Sequence, residues 1–226
     1  MGKVVASTRA SILAAAATEF AALGFAGASV DAIAQRAGVN KAMIYYHFRS
    51  KDGLYVEILR DVFRGLGGRT STIVGGSSTP IAKIEAFIDA LNEEAHARPY
   101  LPSIMVREMA EGGRRLDEGT LRLMAGVFRN LEAILKEGAA AGVFRRVDPV
   151  LTYFSLISPV IFFRVTAPAR AAMQRRRVLN LRRADADAFV GHLKEVARTV
   201  LTAGARKAGP AAPSPRRRTS RSGDHA

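Results

Sequence analysis

The sequence predicts an all-α protein in which a small N-terminal helical domain precedes a larger helical one. Along most of the chain before Gly204, apolar side chains recur at spacings of three and four residues, which is typical of amphipathic helices. We find no sustained alternation of apolar and polar residues, the pattern of a half-buried strand, and no internal repeat. With 226 residues, 48% hydrophobic and 24% charged, the chain is long and apolar enough for an ordinary core.

The first predicted helix covers residues 7–23. Ile12, Ala16 and Phe20 fall on one of its faces and should point into a core. Ser7 is a suitable N-cap, and Gly24 is a suitable C-terminal stop.

Two short helices are predicted next, at residues 29–37 and 40–47, with only a tight turn between them. Ser29 and Asn40 are the expected N-caps, and Gly38 closes the first of the two. Ile44 and Phe48 share one side of the second helix and should face the core. Two helices joined so closely are typical of a helix-turn-helix, in which one helix supports another in the major groove of DNA.

The other side of the second short helix has an unusual composition for a helix surface. Ala42, Tyr45 and Tyr46 point away from the core, and the small alanine allows the backbone to approach bases. A tyrosine ring can contact a thymine methyl group, and its hydroxyl can bind a phosphate. Lys41 and Lys51 are placed to reach flanking phosphates. The alternative is a small helical bundle with half-packed tyrosines and solvated lysines.

The remaining elements follow from the same periodicity. Ser50 can cap a connecting helix at residues 51–66, and a segment rich in Gly, Ser and Thr at 67–80 predicts a flexible loop. Further helices are expected at about 81–98, 100–111, 117–141, 148–165 and 186–203. Residues 205–226 have almost no large apolar side chains and are predicted to be a disordered basic tail.

The stretch GFAGASVDAIAQRAGVNKAMIYYHFRSKDGLYVEIL resembles the DNA-binding region of the TetR (tetracycline repressor) family of bacterial transcription regulators. The matching elements are Gly24-Phe25, Ser29, Ile33-Ala34, Ala37-Gly38-Val39, Tyr45-Tyr46-His47-Phe48 and Lys51. The resemblance implies an Ω-shaped, all-helical homodimer. Its DNA-reading domain would be a three-helix unit at residues 1–50, and its domain for ligand binding and dimerisation would cover residues 81–204.

The same resemblance implies which residues meet DNA. The recognition helix would be the second short helix, and Ser29 and Lys51 would bind phosphates. The full set of predicted contacts is Ser29, Asn40, Lys41, Ala42, Tyr45, Tyr46, His47 and Lys51. The family usually has Ser or Thr at the position of Asn40, and Gly or Ser-Thr inside the helix, where this chain has Met43. Because of these departures, the sequence of the operator is not predicted.

The C-terminal half resembles the family less specifically. By analogy, residues 150–164 and 186–203 would form the dimer interface, with contacts from Tyr153, Phe154, Ile157, Ile161, Phe189, Leu193 and Val196. An unknown small-molecule effector would bind among the helices that start near residues 80, 100, 117 and 150. Its candidate contacts are His96, Tyr100, Met105, Glu108, Met124, Phe128, Phe154 and Phe162. The alternatives are an ordinary monomeric core and, for Glu108, an ion pair with Arg107.

Several classes of function are disfavoured by the composition. The chain has no cysteine, no phosphate-binding Gly-rich motif and no G-x-S-x-G nucleophile elbow, so we predict no enzymatic activity and no cofactor. The segment EEAH at 93–96 is too weak a pattern for a metal site. The uncharged run at 149–163 is too short to span a bilayer and contains Pro159. We therefore expect a cytoplasmic protein without a membrane partner.

The charge distribution leaves one alternative open. The formal net charge is +14, and most of the excess lies in Arg-rich segments at 170–183 and 216–221. Such patches attract polyanions, nucleic acid first among them. The alternative to a sequence-specific regulator is therefore a basic helical protein that binds nucleic acid or an anionic surface without sequence preference.

Overall fold

The computed structural model describes residues 2–181 and 185–204, with side chains from residue 8 onward. Within these ranges the chain forms ten α-helices and no strand, which confirms the predicted all-α class. The helices are α1 (Gly2–Gly27), α2 (Val30–Ala37), α3 (Lys41–Phe48), α4 (Lys51–Gly75), α5 (Pro80–Ala97), α6 (Leu101–Ala110), α7 (Glu118–Ala140), α8 (Pro149–Val165), α9 (Ala167–Arg175) and α10 (Ala186–Thr202). The predicted tail at 205–226 and the end of the 170–183 segment lie outside the described residues.

The N-terminal domain consists of α1, α2, α3 and the start of α4. Ile12 and Phe20 of α1 meet Ile33 of α2 and Ile44 of α3 in a core where each is at most 1% exposed. Gly24 interrupts α1: its φ of 72° and ψ of 176° are not helical, so the first stretch of the helix ends there as predicted, and a short second stretch continues to Gly27. The N-cap prediction for Ser7 is wrong, because its backbone lies inside α1 and not at its N-terminus.

Helix α1 is apolar enough to be compared with a membrane span. Its segment Thr8–Gly27 has a mean hydropathy of 1.5 and a length of 20 residues. Its Ile12, Ala16 and Phe20 are nonetheless buried against the other helices of the domain. Glu19, which interrupts the apolar run, is also buried and forms an ion pair of 2.8 Å with Arg36 of α2. This helix therefore has the contacts of a core helix.

Helix α4 is longer than the sequence suggests. The predicted loop at 67–80 is wrong for residues 67–75, which continue the helix, so that only residues 76–79 connect α4 to α5. Helix α7 packs along this part of α4, and Asn130 donates to the Gly67 carbonyl at 3.2 Å and to the Thr70 hydroxyl at 2.8 Å. Tertiary packing thus outweighs the low helix propensity of glycine and threonine.

The C-terminal domain is built around α5. Helices α4, α7, α8 and α10 all pack on it, while α6 links α8 to α1. The helix bounds agree with the predicted ranges to within about two residues, the usual scatter of helix ends. Helix α9 was not predicted, and it contains no buried residue. Arg170 of α9 lies over the Phe163 ring, 3.6 Å from its centroid, and this contact holds α9 beside α8.

The two domains meet at a buried carboxylate. The side chain of Glu108 on α6 has no exposed area. The Tyr55 hydroxyl of α4 donates to it at 3.0 Å, and the backbone amide and guanidinium of Arg115 donate at 2.9 and 3.2 Å. Burial and the nearby Glu108 carboxylate raise the pKa of Tyr55 well above its usual range, so its hydroxyl stays a proton donor.

An aromatic ring extends this contact toward α3. Phe25 packs edge-on against Tyr55, with ring centroids 5.4 Å apart. The Arg115 guanidinium lies 4.2 Å from the Phe25 centroid, and the Lys51 ammonium lies 4.5 Å from it. Glu108 and Arg115 in the C-terminal domain are thereby connected to Lys51, one of the predicted DNA contacts.

Candidate nucleic-acid interface

Helices α2 and α3 form a helix-turn-helix with defined caps. Gly38, with φ of 66°, ends α2, and the N–H groups of Gly38 and Val39 donate to carbonyls of the last turn at 3.2 and 3.0 Å. Ser29 accepts from the Ala32 amide at 3.1 Å, and Asn40 accepts from the Ala42 amide at 2.9 Å. Both polar side chains therefore fix the start of a helix, so their contact with DNA would have to be additional to capping.

Helix α3 has one buried and one exposed face. Ile44 and Phe48 are 0% and 6% exposed and anchor the helix in the core. Tyr45 and Tyr46 are 45% and 76% exposed. Ala42, about one turn earlier in α3, is exposed as well. Two adjacent tyrosines so exposed are unusual for a helix of a folded domain, because large aromatic rings normally bury most of their area.

His47 does not share the exposure of the tyrosines. Its ring is half buried, packed edge-on against Tyr46 with centroids 5.1 Å apart and tilted against Phe48 at 6.0 Å. Its Nε2 atom is buried and has no hydrogen-bond partner among the residues that the structure describes. His47 is thus less exposed than the two tyrosines, since its position on the helix lies between the two faces, and its contact with DNA stays a prediction.

The two predicted cations are differently placed. The Lys41 ammonium lies 2.9 Å from Oδ1 of Asp31 and 3.0 Å from its Oδ2. The hydrogen bond with Asp31 raises the pKa of Lys41 above its ordinary value. Lys51 instead stacks on Phe25, as described above. Asp31, in the first turn of α2, is not among the site residues predicted from the sequence, because its pairing with Lys41 depends on how α2 and α3 pack.

A small apolar cavity lies inside the C-terminal domain. It measures about 50 Å³, far below the several hundred cubic ångströms of a typical ligand site. Its walls come from α4, α5, α6 and α8: Val62, Phe63, Leu66, Leu91, Glu94, Ala95, Leu101, Met105, Ile157, Val160 and Ile161. The carboxylate of Glu94 is its one charged group, and it forms ion pairs with Arg69 and Arg98.

Of the predicted effector contacts, Met105 lines this cavity and the others do not. Glu108 faces the N-terminal domain and pairs with Arg115 rather than with Arg107. The remaining six are held elsewhere: His96, Phe154 and Phe162 are exposed, and Tyr100, Met124 and Phe128 are half buried outside the cavity wall. For Phe154 and Phe162 the reason is the rotation of α8, which turns Ile157, Val160 and Ile161 inward.

The predicted interface residues on α8 and α10 fall into two groups. Phe154 and Val196 are exposed, at 58% and 42%. The other five contact their own chain: Ile157 and Ile161 line the cavity, Leu193 is buried, Tyr153 packs on Phe128 and Phe189 stacks on Phe163. Burial raises the pKa of Tyr153 to about 12.

Other exposed apolar residues lie within the predicted interface ranges but are not among the named interface contacts. Leu151 is 69% exposed and Phe162 is 67% exposed on α8, and Val200 is 46% exposed on α10. A groove of about 480 Å³ separates the two helices near Leu151 and Val200. Large exposed apolar side chains grouped on one part of a protein surface are typical of surfaces for association.

No group of three His, Asp or Glu side chains in residues 2–181 and 185–204 is arranged to hold a metal ion.

Comparison with known proteins gives the family. Residues 12–58 match the family model described as bacterial regulatory proteins, tetR family, and residues 80–196 match the tetracyclin repressor-like C-terminal domain. The second match alone spans more than half of the chain.

Characterised relatives are regulators of the same kind. The chain is 36% identical over 93 residues to the HTH-type transcriptional repressor KstR2 of Mycolicibacterium smegmatis, a match that covers 41% of this chain and 45% of that repressor. It is 28% identical over 175 residues to the repressor SCO4008 of Streptomyces coelicolor, covering 76% and 83% of the two chains. The match to the regulator RutR of Escherichia coli is 25% identical over 147 residues and covers 65% and 69%.

Solved structures share the fold. PfmR, a TetR family regulator from Thermus thermophilus, superposes with a TM-score of 0.64 at 24% identity, covering 84% of this chain and 96% of PfmR. FadR from Bacillus subtilis gives 0.67 at 18% identity, covering 84% and 98%. With both domains matched in order and a helix-turn-helix of the expected geometry, the chain belongs to the TetR family of bacterial transcription regulators.

Proposed function

We propose that the protein is a ligand-responsive repressor that binds a palindromic operator as a homodimer. The observation that carries the proposal is the exposed face of α3, where Tyr45 and Tyr46 stand outward while Ile44 and Phe48 hold the helix in the core. Ala42 at the centre of this face leaves room for the backbone to enter the major groove. The relatives named as repressors and regulators support the same interpretation and do not favour a nonspecific basic protein.

Dimerisation would use the outer faces of α8 and α10. The exposed Leu151, Phe154 and Phe162 of α8 and Val196 and Val200 of α10 form the apolar surface that supports it. A two-fold dimer presents two copies of α3 to DNA, and half-sites one helical turn apart require a separation of roughly 34–36 Å. Acting on DNA, such a dimer works in the bacterial cytoplasm.

The effector would enter the cavity lined by Phe63 and Met105. At about 50 Å³ this cavity has room for little more than one water molecule, so a ligand must push its walls apart. The apolar lining favours a ligand with a large apolar part. Met105 and Glu108 lie one turn apart on α6, so expansion at Met105 would displace the carboxylate that holds the N-terminal domain.

The experiment is a selection of bound sequences from random DNA, followed by footprinting. We expect an inverted repeat protected by the wild type. The double variant Tyr45→Ala, Tyr46→Ala should lose the preference for the operator over unrelated DNA, because both exposed rings are removed.

The matched control is Tyr45→Phe, Tyr46→Phe, which keeps the rings and should retain part of the preference. Circular dichroism on all variants checks that they fold. An asymmetric footprint, or an unchanged preference in the alanine variant, would show that α3 does not read the operator.

A further inference from the structure

An ion pair joins the first turns of the two helices of the helix-turn-helix. Asp31 is the second residue of α2, and Lys41 is the first residue of α3. Both oxygens of the Asp31 carboxylate contact the Lys41 ammonium, at 2.9 and 3.0 Å. The side chains are 73% and 45% exposed, so the pair lies on the surface and not in the core.

The Asp31 carboxylate is an unexpected group on a surface that is proposed to face DNA. The surface around α3 is proposed to approach a polyanion, and a free carboxylate there would be repelled by phosphates. Paired with Lys41, the carboxylate is neutralised, but Lys41 is then no longer a free cation. A lysine that is paired with a carboxylate is a poorer phosphate contact than an unpaired one. Phosphate binding alone therefore does not account for the position of Lys41.

The pair offers a hydrogen-bond acceptor beside a donor. In the major groove a G·C pair displays the acceptors O6 and N7 of guanine beside the N4 amino donor of cytosine. A lysine ammonium has three N–H donors, so Lys41 can keep Asp31 and still donate to guanine. The Asp31 carboxylate can at the same time accept from the cytosine amino group.

The neighbouring residues fit contact with bases. Ala42 follows Lys41 and is small and exposed, so the side chain next to the pair would not hinder a close approach to the bases. Lys51, by contrast, lies on the Phe25 ring and brings no acceptor with it. The pair thus places a charged donor and a charged acceptor side by side on this surface.

We propose that Asp31 and Lys41 together read one G·C base pair in each half-site of the operator, and that Asp31 is a specificity-determining residue. The inference rests on the proposed function, since it takes α3 as the recognition helix. It goes beyond that proposal because it assigns the discrimination between base pairs to Asp31 of α2 as well as to the tyrosines of α3.

The test compares Asp31→Asn with Asp52→Asn. Asp52 is the second residue of α4, as Asp31 is of α2, and is also exposed, so both variants remove one negative charge near the same surface. Operators are selected for the wild type and both variants, and binding to the wild-type operator and to unrelated DNA is measured against salt concentration.

We expect Asp31→Asn to lose the preference for one G·C pair in each half-site, by about 5- to 150-fold per half-site. Binding of this variant to unrelated DNA should become more dependent on salt. The slope of log K against log salt should steepen by about 2 per dimer, because each released Lys41 can bind a phosphate. Asp52→Asn should leave the base preference unchanged.

The two variants could instead have equal effects on operator and unrelated DNA, with base preferences unaltered. Asp31 would then act only through its negative charge, and the inference would be overturned. A wild-type operator in which no G·C pair is fixed in the half-sites would also overturn it. A wild type that selects no inverted repeat at all would instead refute the proposed function. The two failures are therefore distinguishable.

Discussion

Glu108 is a buried charged residue at the contact between the two domains. Its carboxylate has no exposed area, and it accepts hydrogen bonds from Tyr55 and from the backbone and side chain of Arg115. A buried charge is tolerated only when such partners replace the water that it loses. Nothing local in the sequence reveals this role, because Tyr55 lies 53 positions away along the chain.

We predict that Glu108→Gln lowers the free energy of unfolding by about 3 kcal/mol, since it leaves the guanidinium of Arg115 with less negative charge in a buried setting. Tyr55→Phe should lower it by about 1 kcal/mol through the loss of one hydrogen bond. Urea unfolding measures both. The control is Glu111→Gln, which removes a more exposed partner of the same arginine and should have a much smaller effect. If Glu108→Gln is no more destabilising than this control, the buried pair does not hold the domains together.

For single helices, features that depend on neighbouring residues could be predicted from the sequence. Features that depend on packing against distant helices could not. The caps Ser29, Asn40 and Ser50 hold their helix starts as the sequence indicated, because capping needs only residues within three positions. The end of α4 could not be predicted, since its glycines and threonines are helical only through packing on α7. The exposed face of α3 followed from periodicity, whereas the rotation of α8 depends on distant helices.

We predict opposite effects on stability for alanine substitutions at one glycine of α7 and one glycine of α4. At Gly138 of α7 an added Cβ would lie 1.9 Å from Cδ2 of Phe144, a buried ring packed directly on the helix. Gly138→Ala should therefore destabilise the protein by about 1–3 kcal/mol through overpacking. At Gly68 of α4 an added Cβ meets no atom within 4 Å.

Gly68→Ala should accordingly stabilise the protein by about 0.5–1 kcal/mol, because alanine loses less conformational entropy than glycine in a helix. Thermal unfolding of both variants checks the pair. A loss of stability in Gly68→Ala would contradict the continuous helix through residues 67–75.

At the scale of the whole molecule, positive charge is concentrated away from the helix-turn-helix. Arg164, Arg170 and Arg175 to Arg177 form no ion pair with any residue that the structure describes, and more arginines follow in the sequence after Gly204. Uncompensated arginines raise affinity for any DNA, but they carry no information about its sequence.

We therefore predict that removing residues 205–226 weakens binding to operator and unrelated DNA by the same factor. The ratio of the two affinities should stay constant, and the dependence of binding on salt should become shallower. Competition binding at several salt concentrations measures both quantities. A fall in the ratio would mean that the tail takes part in sequence recognition.

The continuity of α4 has a mechanical consequence. Because the helix runs without interruption from Lys51 beside the helix-turn-helix to Gly75, it acts as a stiff rod about 37 Å long. Phe63 and Leu66 place the cavity roughly halfway along it. A tilt of only about 5° around that point would move the Lys51 end by about 2 Å, calculated from the helical rise. Because α4 has no break between the cavity and Lys51, such a rotation would reach the helix-turn-helix of each subunit in a dimer.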